Sequence, residues 1–240
     1  VPLFFAKRRR TFNSPADVLE LAMYTVDVYK NLDTGLHTDI IFVNNSPEEE
    51  TGSDYLNTIN NTEAFNGKFV VIEGDNLGMS FGAHNTAFNK FQNQYDFWCF
   101  TEDDIIYTHK NFLSVAFDQF KNDSSVGFVS ACGIESAGSE NEHAHGGVGC
   151  TTNDTLLRVV DMCGYLPHSR QVANLTDGRL YKKEQIMKGE VAFTSCYRKM
   201  GLKVVIIECC DMPFIRWDKS DSDVLNKIDE RQWGYTRSVH

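Results

Sequence analysis

Apolar residues gather in short dense runs, and the polar segments between them carry helix signals. PLFFA (2–6) reads as a buried strand. Ser14-Pro15-Ala16-Asp17 then opens a helix, with Ser as the cap, Pro at the first helical position and an acid in the first turn. Val18, Ala22, Val26 and Tyr29 continue it at near-helical spacing, and it should end before Gly35. DIIFV (39–43), KFVVIEG (68–74), YDFWCF (95–100) and VGFVSA (126–131) are further strands. The segment 75–91 starts as a loop and becomes helical, with Ala83, Ala87, Phe88 and Phe91 on one side. Leu113, Ala116, Phe117 and Phe120 mark another helix. Strands interleaved with helices predict βαβ units and a mainly parallel sheet.

The pattern changes after residue 131. Gly, Ser, His and Asn dominate 132–180, and ESAGSENEHAHGGVG (135–149) reads as a long loop of the kind that carries function. TLLRVVDM (155–162) reads as a strand-like patch, 183–200 as a helix closed by Gly201, and LKVVIIE (202–208) as a final strand. The tail from Asp211 is polar with scattered aromatics. Neither a repeat nor a clear linker is visible. One domain spanning 1–240 is the simplest account, with a nucleotide-binding half (1–131) and a substrate-specific half (132–240).

Composition narrows the function. The 240 residues are 42% hydrophobic and 23% charged, which supports a sizeable core rather than disorder. A net charge of -10 disfavours nucleic-acid binding, which needs clustered Lys and Arg. The one dense basic run is Lys7-Arg8-Arg9-Arg10. No apolar stretch approaches the roughly 20 residues that span a bilayer, and VPLFFAKRRR has the wrong order for a signal peptide. Val1 is compatible with one domain of a longer protein. Seven cysteines without CxxC spacing argue against a zinc site or a disulfide framework, so a reducing, cytoplasmic setting is expected. Five N-x-S/T sequons, beginning at Asn44, Asn60, Asn122, Asn153 and Asn174, pull toward the secretory lumen.

The strongest chemical signal is FWCFTEDDIIY (97–107), in which Glu102-Asp103-Asp104 follow an apolar strand. Ligands in open α/β sheets collect at the carboxyl edge of the strands. Three adjacent acids repel one another unless a cation or solvent relieves them. A hard divalent ion, Mg2+ or Mn2+, takes oxygen ligands from one or two carboxylates plus substrate phosphates. Taken alone, the triplet also suits a solvated turn capping the next helix.

In the order and spacing of its patches the chain resembles the GT-A glycosyltransferases, most of all the family 2 group. DIIFVNNSP, DNLGMSFGAHNTAF and YDFWCFTEDDI carry the resemblance over residues 1–131, and GEVAFTSCYRKMG (189–201) adds a fourth patch. The resemblance implies a Rossmann-like, mainly parallel central sheet flanked by helices, with a smaller acceptor-side region. It implies transfer of a sugar from a UDP- or GDP-sugar to a hydroxyl acceptor, a glycan above all, with inversion. Asp104 would bind the metal directly, and Glu102 directly, through water, or by touching the donor. Asp103 would contact donor hydroxyls, beside Thr101. Asn44 and Asn45 would lie beside the base and ribose, where the family usually has Asp. Asn76 would bind the donor, Gly78 and Gly82 would let the backbone approach it closely, and Asn85 would help hold the acidic strand and donor in place. Lys7, Arg8 and Arg10 would grip the diphosphate.

Inverting transfer needs a general base. The resemblance points to Glu190, although the family's second adjacent acid is Val191 here; Asp161, Asp177 and Asp211 are fallbacks. His143 and His145 could add a metal ligand or an acceptor contact, and Asp211 or His240 could complete the metal shell. Trp217, Trp233 and Tyr235 could stack on an acceptor sugar. Two other classes compete: a sugar-phosphate nucleotidyltransferase, for which FAKRRRTF lacks the usual glycines, and a non-catalytic sugar-nucleotide-binding module.

Overall fold

A computed structural model describes residues 1–3, 5, 15–102, 105–107, 109–131, 134–135, 143–144, 148–168, 186–207, 210–211 and 236–239. In chain order the first half runs β1 (Pro2–Leu3), α1 (Pro15–Asn31), β2 (Ile40–Asn44), α2 (Glu50–Ile59), β3 (Phe69–Glu73), α3 (Met79–Phe91), β4 (Phe97–Phe100), β5 (Ile106–Tyr107), α4 (Phe112–Asn122) and β6 (Val126–Ser130). The second half runs β7 (Ile134–Glu135), β8 (His143–Ala144), β9 (Gly149–Thr152), α5 (Asn153–Cys163), a π-helical turn (Ile186–Val191), α6 (Ala192–Lys199), β10 (Lys203–Ile207), β11 (Cys210–Asp211) and β12 (Thr236–Val239).

The molecule is a mixed α/β fold. Strands β1, β2 and β3 form a parallel sheet in that spatial order, as the βαβ reading predicted. The second sheet, β12-β10-β6-β9-β4, is mixed. Only β6 and β10 run parallel within it; β9 lies antiparallel between β4 and β6, and β12 antiparallel on β10. Two short ladders, β5 with β11 and β7 with β8, sit outside these sheets. LKVVIIE is therefore not the last strand, because β11 and β12 follow it.

Strand alternation sends side chains to two apolar layers. Ile40 and Phe42 join a cluster with Leu21, Val28, Leu56, Phe112 and Leu113, which belong to α1, α2 and α4. Val43 joins the other cluster with Phe81, Phe88, Leu156, Phe193 and Tyr197, which belong to α3, α5 and α6. Strand β10 divides the same way, with Val205 and Ile207 in the first cluster and Val204 in the second. No helix among the described residues is long and apolar enough to cross a membrane.

Two helices depart from the sequence reading. TLLRVVDM is helical, inside α5, not a strand. Thr152 caps it, accepting from the amide of Thr155, and Gly164 closes it in the left-handed region at φ 78°. Leu156 and Val159, three apart, are buried while Leu157 is exposed, which is helical periodicity. Helix α2 was not foreseen. The Glu49 carboxylate caps it by accepting from the Gly52 amide at 2.7 Å, and Leu56 and Ile59 bury its apolar side.

Phe193 is the junction of the second layer. Its ring meets Phe81 of α3 at 5.7 Å, Phe100 of β4 at 6.0 Å, Phe128 of β6 at 5.5 Å and Tyr197 of α6 at 5.1 Å, all edge-on. Such pairs add stability beyond their buried area. Phe193→Ala should therefore cost about 3–5 kcal/mol, read as a lower urea midpoint at unchanged slope.

Candidate functional site

The described donor candidates follow the carboxyl ends of three strands: Asn44 and Asn45 at β2, Asn76 and Gly78 after β3, and Thr101 and Glu102 after β4. Asn44 and Asn45 end β2 and are buried. The Asn44 amide is used at both ends: its nitrogen donates to Ser53 Oγ at 2.9 Å and its oxygen accepts from the Ser46 amide at 3.1 Å. Asn44 is thus a strut of the β2–α2 turn. Ser46 Oγ in turn accepts from the Phe5 amide at 2.6 Å, and the Asn45 amide donates to Leu3 carbonyl, which locks β1 onto the same turn. A Cβ on Gly74 would stand 2.2 Å from Asn45 Oδ1, so the ends of β2 and β3 are in close contact.

The loop between β3 and α3 is strained. Asn76 at φ 56°, Gly78 at φ 84° and Met79 at φ 52° are all in the left-handed region. Asp75 Oδ1 accepts from the Leu77 amide at 2.9 Å and holds the turn. Gly78 stands at the N-cap of α3 and supplies no side-chain cap, so the helix begins with amide donors at this edge. Gly82 allows the loop to fold back onto α3: an added Cβ would lie 1.7 Å from Leu77 carbonyl oxygen. Asn85 Oδ1 accepts from the Leu166 amide at 3.0 Å, so it ties α3 to the turn after α5 rather than to the acidic strand.

Strand β4 delivers the acidic turn. Thr101 is buried, and its hydroxyl donates to Ile105 carbonyl at 2.8 Å, closing the turn that carries Glu102. The Ile105 amide donates to Glu102 carbonyl at 3.3 Å. Tyr107 Oη donates to Phe100 carbonyl at 2.9 Å, and its ring stacks on Phe112 at 4.2 Å. Glu102 itself is half-buried. Asp103 and Asp104 lie outside the described residues, as do Lys7, Arg8, Arg10, His145, Asp177, Trp217, Trp233, Tyr235 and His240. Strand β5, directly after the acids, pairs with β11 so that Asp211 stands opposite Ile106. A residue more than a hundred positions away in sequence is thereby set opposite β5. Among the described residues no group of three or more His, Cys, Asp or Glu forms a metal site.

Glu190 lies in the π-helical turn, a local distortion common at functional sites. Its Oε2 is 3.3 Å from Nε2 of His143, and the His143 side chain is 1% exposed. The β7–β8 ladder sets His143 there, and the next amide, of Ala144, donates to Thr194 Oγ1 of α6 at 3.1 Å. The described part of the 135–149 segment is therefore a paired, buried element, and His143 faces the carboxylate rather than an open loop. Gly189 lets the turn press on α3, since a Cβ there would come within 2.9 Å of the Phe81 ring. Val191, in place of a second acid, is buried. Asp161 is exposed on α5.

His84 was not singled out from sequence. It is buried between Phe81 and Phe100, 4.7 Å from the latter ring, and Nε2 has no hydrogen-bond partner among the described residues. Burial, and secondarily the Val1 ammonium, hold its pKa well below 6.5, so the ring is neutral. It lines an apolar cavity of about 140 Å³ between β2 and β4, together with Val1, Ile41, Tyr95 and Phe97. That cavity touches Thr101 but not Asn44, Asn45, Asn76, Gly78, Glu102 or Glu190. The acidic edge and this cavity are separate features.

No family model matches the chain, and no curated protein or solved structure matches it.

Two outcomes follow from this geometry. Gly→Ala inside a helix ordinarily gains up to about 1 kcal/mol; Gly82→Ala should instead lose about 1–3 kcal/mol, because the methyl meets backbone rather than a movable side chain. A higher melting temperature in that variant would refute the close approach. For His84, the unfolded chain titrates near 6.5 and the folded chain lower, so the unfolded state binds more protons in between. Stability from this group is complete above about pH 6.5 and falls as pH drops below it, by at most about 1.4 kcal/mol per pH unit. His84→Phe should flatten the difference between urea unfolding at pH 7.5 and at pH 5.5.

Proposed function

We propose that the chain is a metal-dependent glycosyltransferase of the GT-A type, moving a sugar from a UDP- or GDP-sugar to a hydroxyl acceptor with inversion. The observation that carries this reading is the β5–β11 ladder, which sets Asp211 across from Ile106, two residues beyond Asp104. On this reading Asp211 would act as the late acid that completes the Glu102-Asp103-Asp104 set. The donor set is carboxylate oxygen throughout, which fits Mg2+ or Mn2+ rather than a thiolate- or imidazole-preferring metal. Glu102, Asp104 and Asp211 would hold the ion, which when bound offsets the charge of the departing diphosphate.

The rest of the chemistry belongs to the chain's own groups. The N-terminus of α3, opening at Gly78, offers amide donors to a phosphate at the same edge. Glu190 takes the proton of the acceptor hydroxyl as the new carbon–oxygen bond forms and the bond to the diphosphate breaks. His143 Nε2, 3.3 Å from Oε2, is the group beside the Glu190 carboxylate that would orient it. Gly189 packs on Phe81 of α3, and Phe193 on Phe81 and on Phe100 of β4, so the segment that carries Glu190 is anchored to both elements.

Calorimetry with UDP- and GDP-sugars, with and without Mn2+, tests the reading. Asp104→Ala should abolish metal-dependent donor binding, and Asp211→Ala should weaken it at least about tenfold. Glu190→Gln should keep donor binding and lose about 10²–10⁴-fold in turnover. Unchanged metal-dependent binding in Asp104→Ala would sink the assignment. Release of pyrophosphate from a nucleoside triphosphate and a sugar phosphate would assign a nucleotidyltransferase instead, and donor binding with no turnover in the parent chain a binding module.

A further inference from the structure

Cys163 is the last residue of α5 and Cys196 sits in the middle of α6, and their sulfurs are 3.1 Å apart. The two residues are 33 positions apart in sequence, so the fold and not chain proximity brings them together. Cys196 is 4% exposed, whereas Cys163 is half-buried. The surroundings of Cys163 are open. Its neighbour Met162 is 44% exposed, and an added Cβ on Gly164 would meet nothing within 4 Å.

We propose that Cys163 and Cys196 are a redox-reactive dithiol that closes to an intramolecular disulfide, stapling α5 to the helix that follows Glu190. A disulfide needs the sulfurs at about 2.05 Å, so closure asks an approach of about 1 Å from the observed 3.1 Å. The open end of α5 can supply it. The pair has an asymmetry suited to thiol–disulfide exchange. Burial, and then the hydrogen bond with Cys163, raise the Cys196 thiol to about 12, against a smaller downward pull from Lys199. Cys196 therefore stays protonated and waits, and the accessible Cys163 reacts first.

The oxidant is a low-molecular-weight disulfide such as oxidised glutathione. The Cys163 thiolate attacks one of its sulfurs, that disulfide bond breaks, and one thiol leaves as a thiolate that takes up a proton. Cys196 then attacks the Cys163 sulfur, gives up its own proton, and expels the second thiol. Two protein thiols are oxidised and one external disulfide is reduced to two thiols.

Cys99 and Cys150, which stand opposite each other in the β4–β9 ladder, make an internal control. The full chain is treated with oxidised glutathione, and in parallel with dithiothreitol, then mapped by non-reducing peptide mass spectrometry and melted. A peptide linking Cys163 to Cys196 is expected, lighter by two hydrogens than the separate thiols. The melting temperature should rise by roughly 5–15 °C over the reduced chain. Cys163→Ser should remove both the link and the rise, whereas Cys99→Ser should leave both in place. Cys163→Ser lies at a half-exposed helix end, so its folding is checked by an unchanged reduced melting curve. Two results overturn the proposal: a glutathione adduct that persists on Cys163 while Cys196 remains open to alkylation after unfolding, or a peptide map in which Cys163 and Cys196 are never joined.

Discussion

The contact on which the second half of the molecule depends is the edge-on packing of Phe193 against Phe81, Phe100, Phe128 and Tyr197. These rings come from α3, β4, β6 and α6, so one side chain joins the helix after Glu190 to two strands and to the helix that opens at Gly78. Aromatic rings prefer this geometry because the positive edge of one meets the negative face of another. The preference is directional, so it fixes orientation as well as proximity. The same packing anchors the helix that begins two residues after Glu190, whose Oε2 stands 3.3 Å from His143 Nε2.

The first half of the fold was legible because its strands are continuous apolar runs and its helices carry punctuation. Strand β2 is IIFVN and is buried on both faces, which is the signature of a parallel strand between helices. The second half was less legible for a physical reason. Strand β9 is GCTT, with neither alternation nor an apolar run, and its partners β4 and β6 lie on either side of it in space but far away in sequence. Helix α5 was misread because β-branched Val159 and Val160 suit a strand. The deciding signals, the Thr152 cap and Gly164, lie just outside the apolar patch. Helix α2 was hidden because its cap is a Glu, a residue not usually sought in that role, and because Gly52 and Ser53 dilute its first turn.

The site divides in the same way. The carboxyl-edge residues could be read from local pattern: each follows a strand, and edges are where α/β folds bind ligands. Their individual duties could not. Asn44 also holds the β2–α2 turn through both ends of its amide. Asn85 also braces the turn after α5. His143 and Asp211 gain their positions from two-residue antiparallel ladders, β7–β8 and β5–β11, that no periodicity could reveal.

The π-helical turn shows how these constraints meet. Gly189 and Phe193 are four residues apart, and both press on Phe81. Between them, Val191 is buried and Glu190 reaches His143. From Phe193 onward the inward residues, Phe193, Cys196 and Tyr197, follow ordinary helical spacing. A widened turn ahead of them changes the direction of the residues before Phe193 without moving Phe193 itself. Gly189 is required there because any side chain would meet the Phe81 ring, and Phe81 cannot withdraw while Phe193 holds it. The direction of Glu190 is thus set by a glycine, a ring cluster and a helix defect acting together, rather than by Glu190 itself.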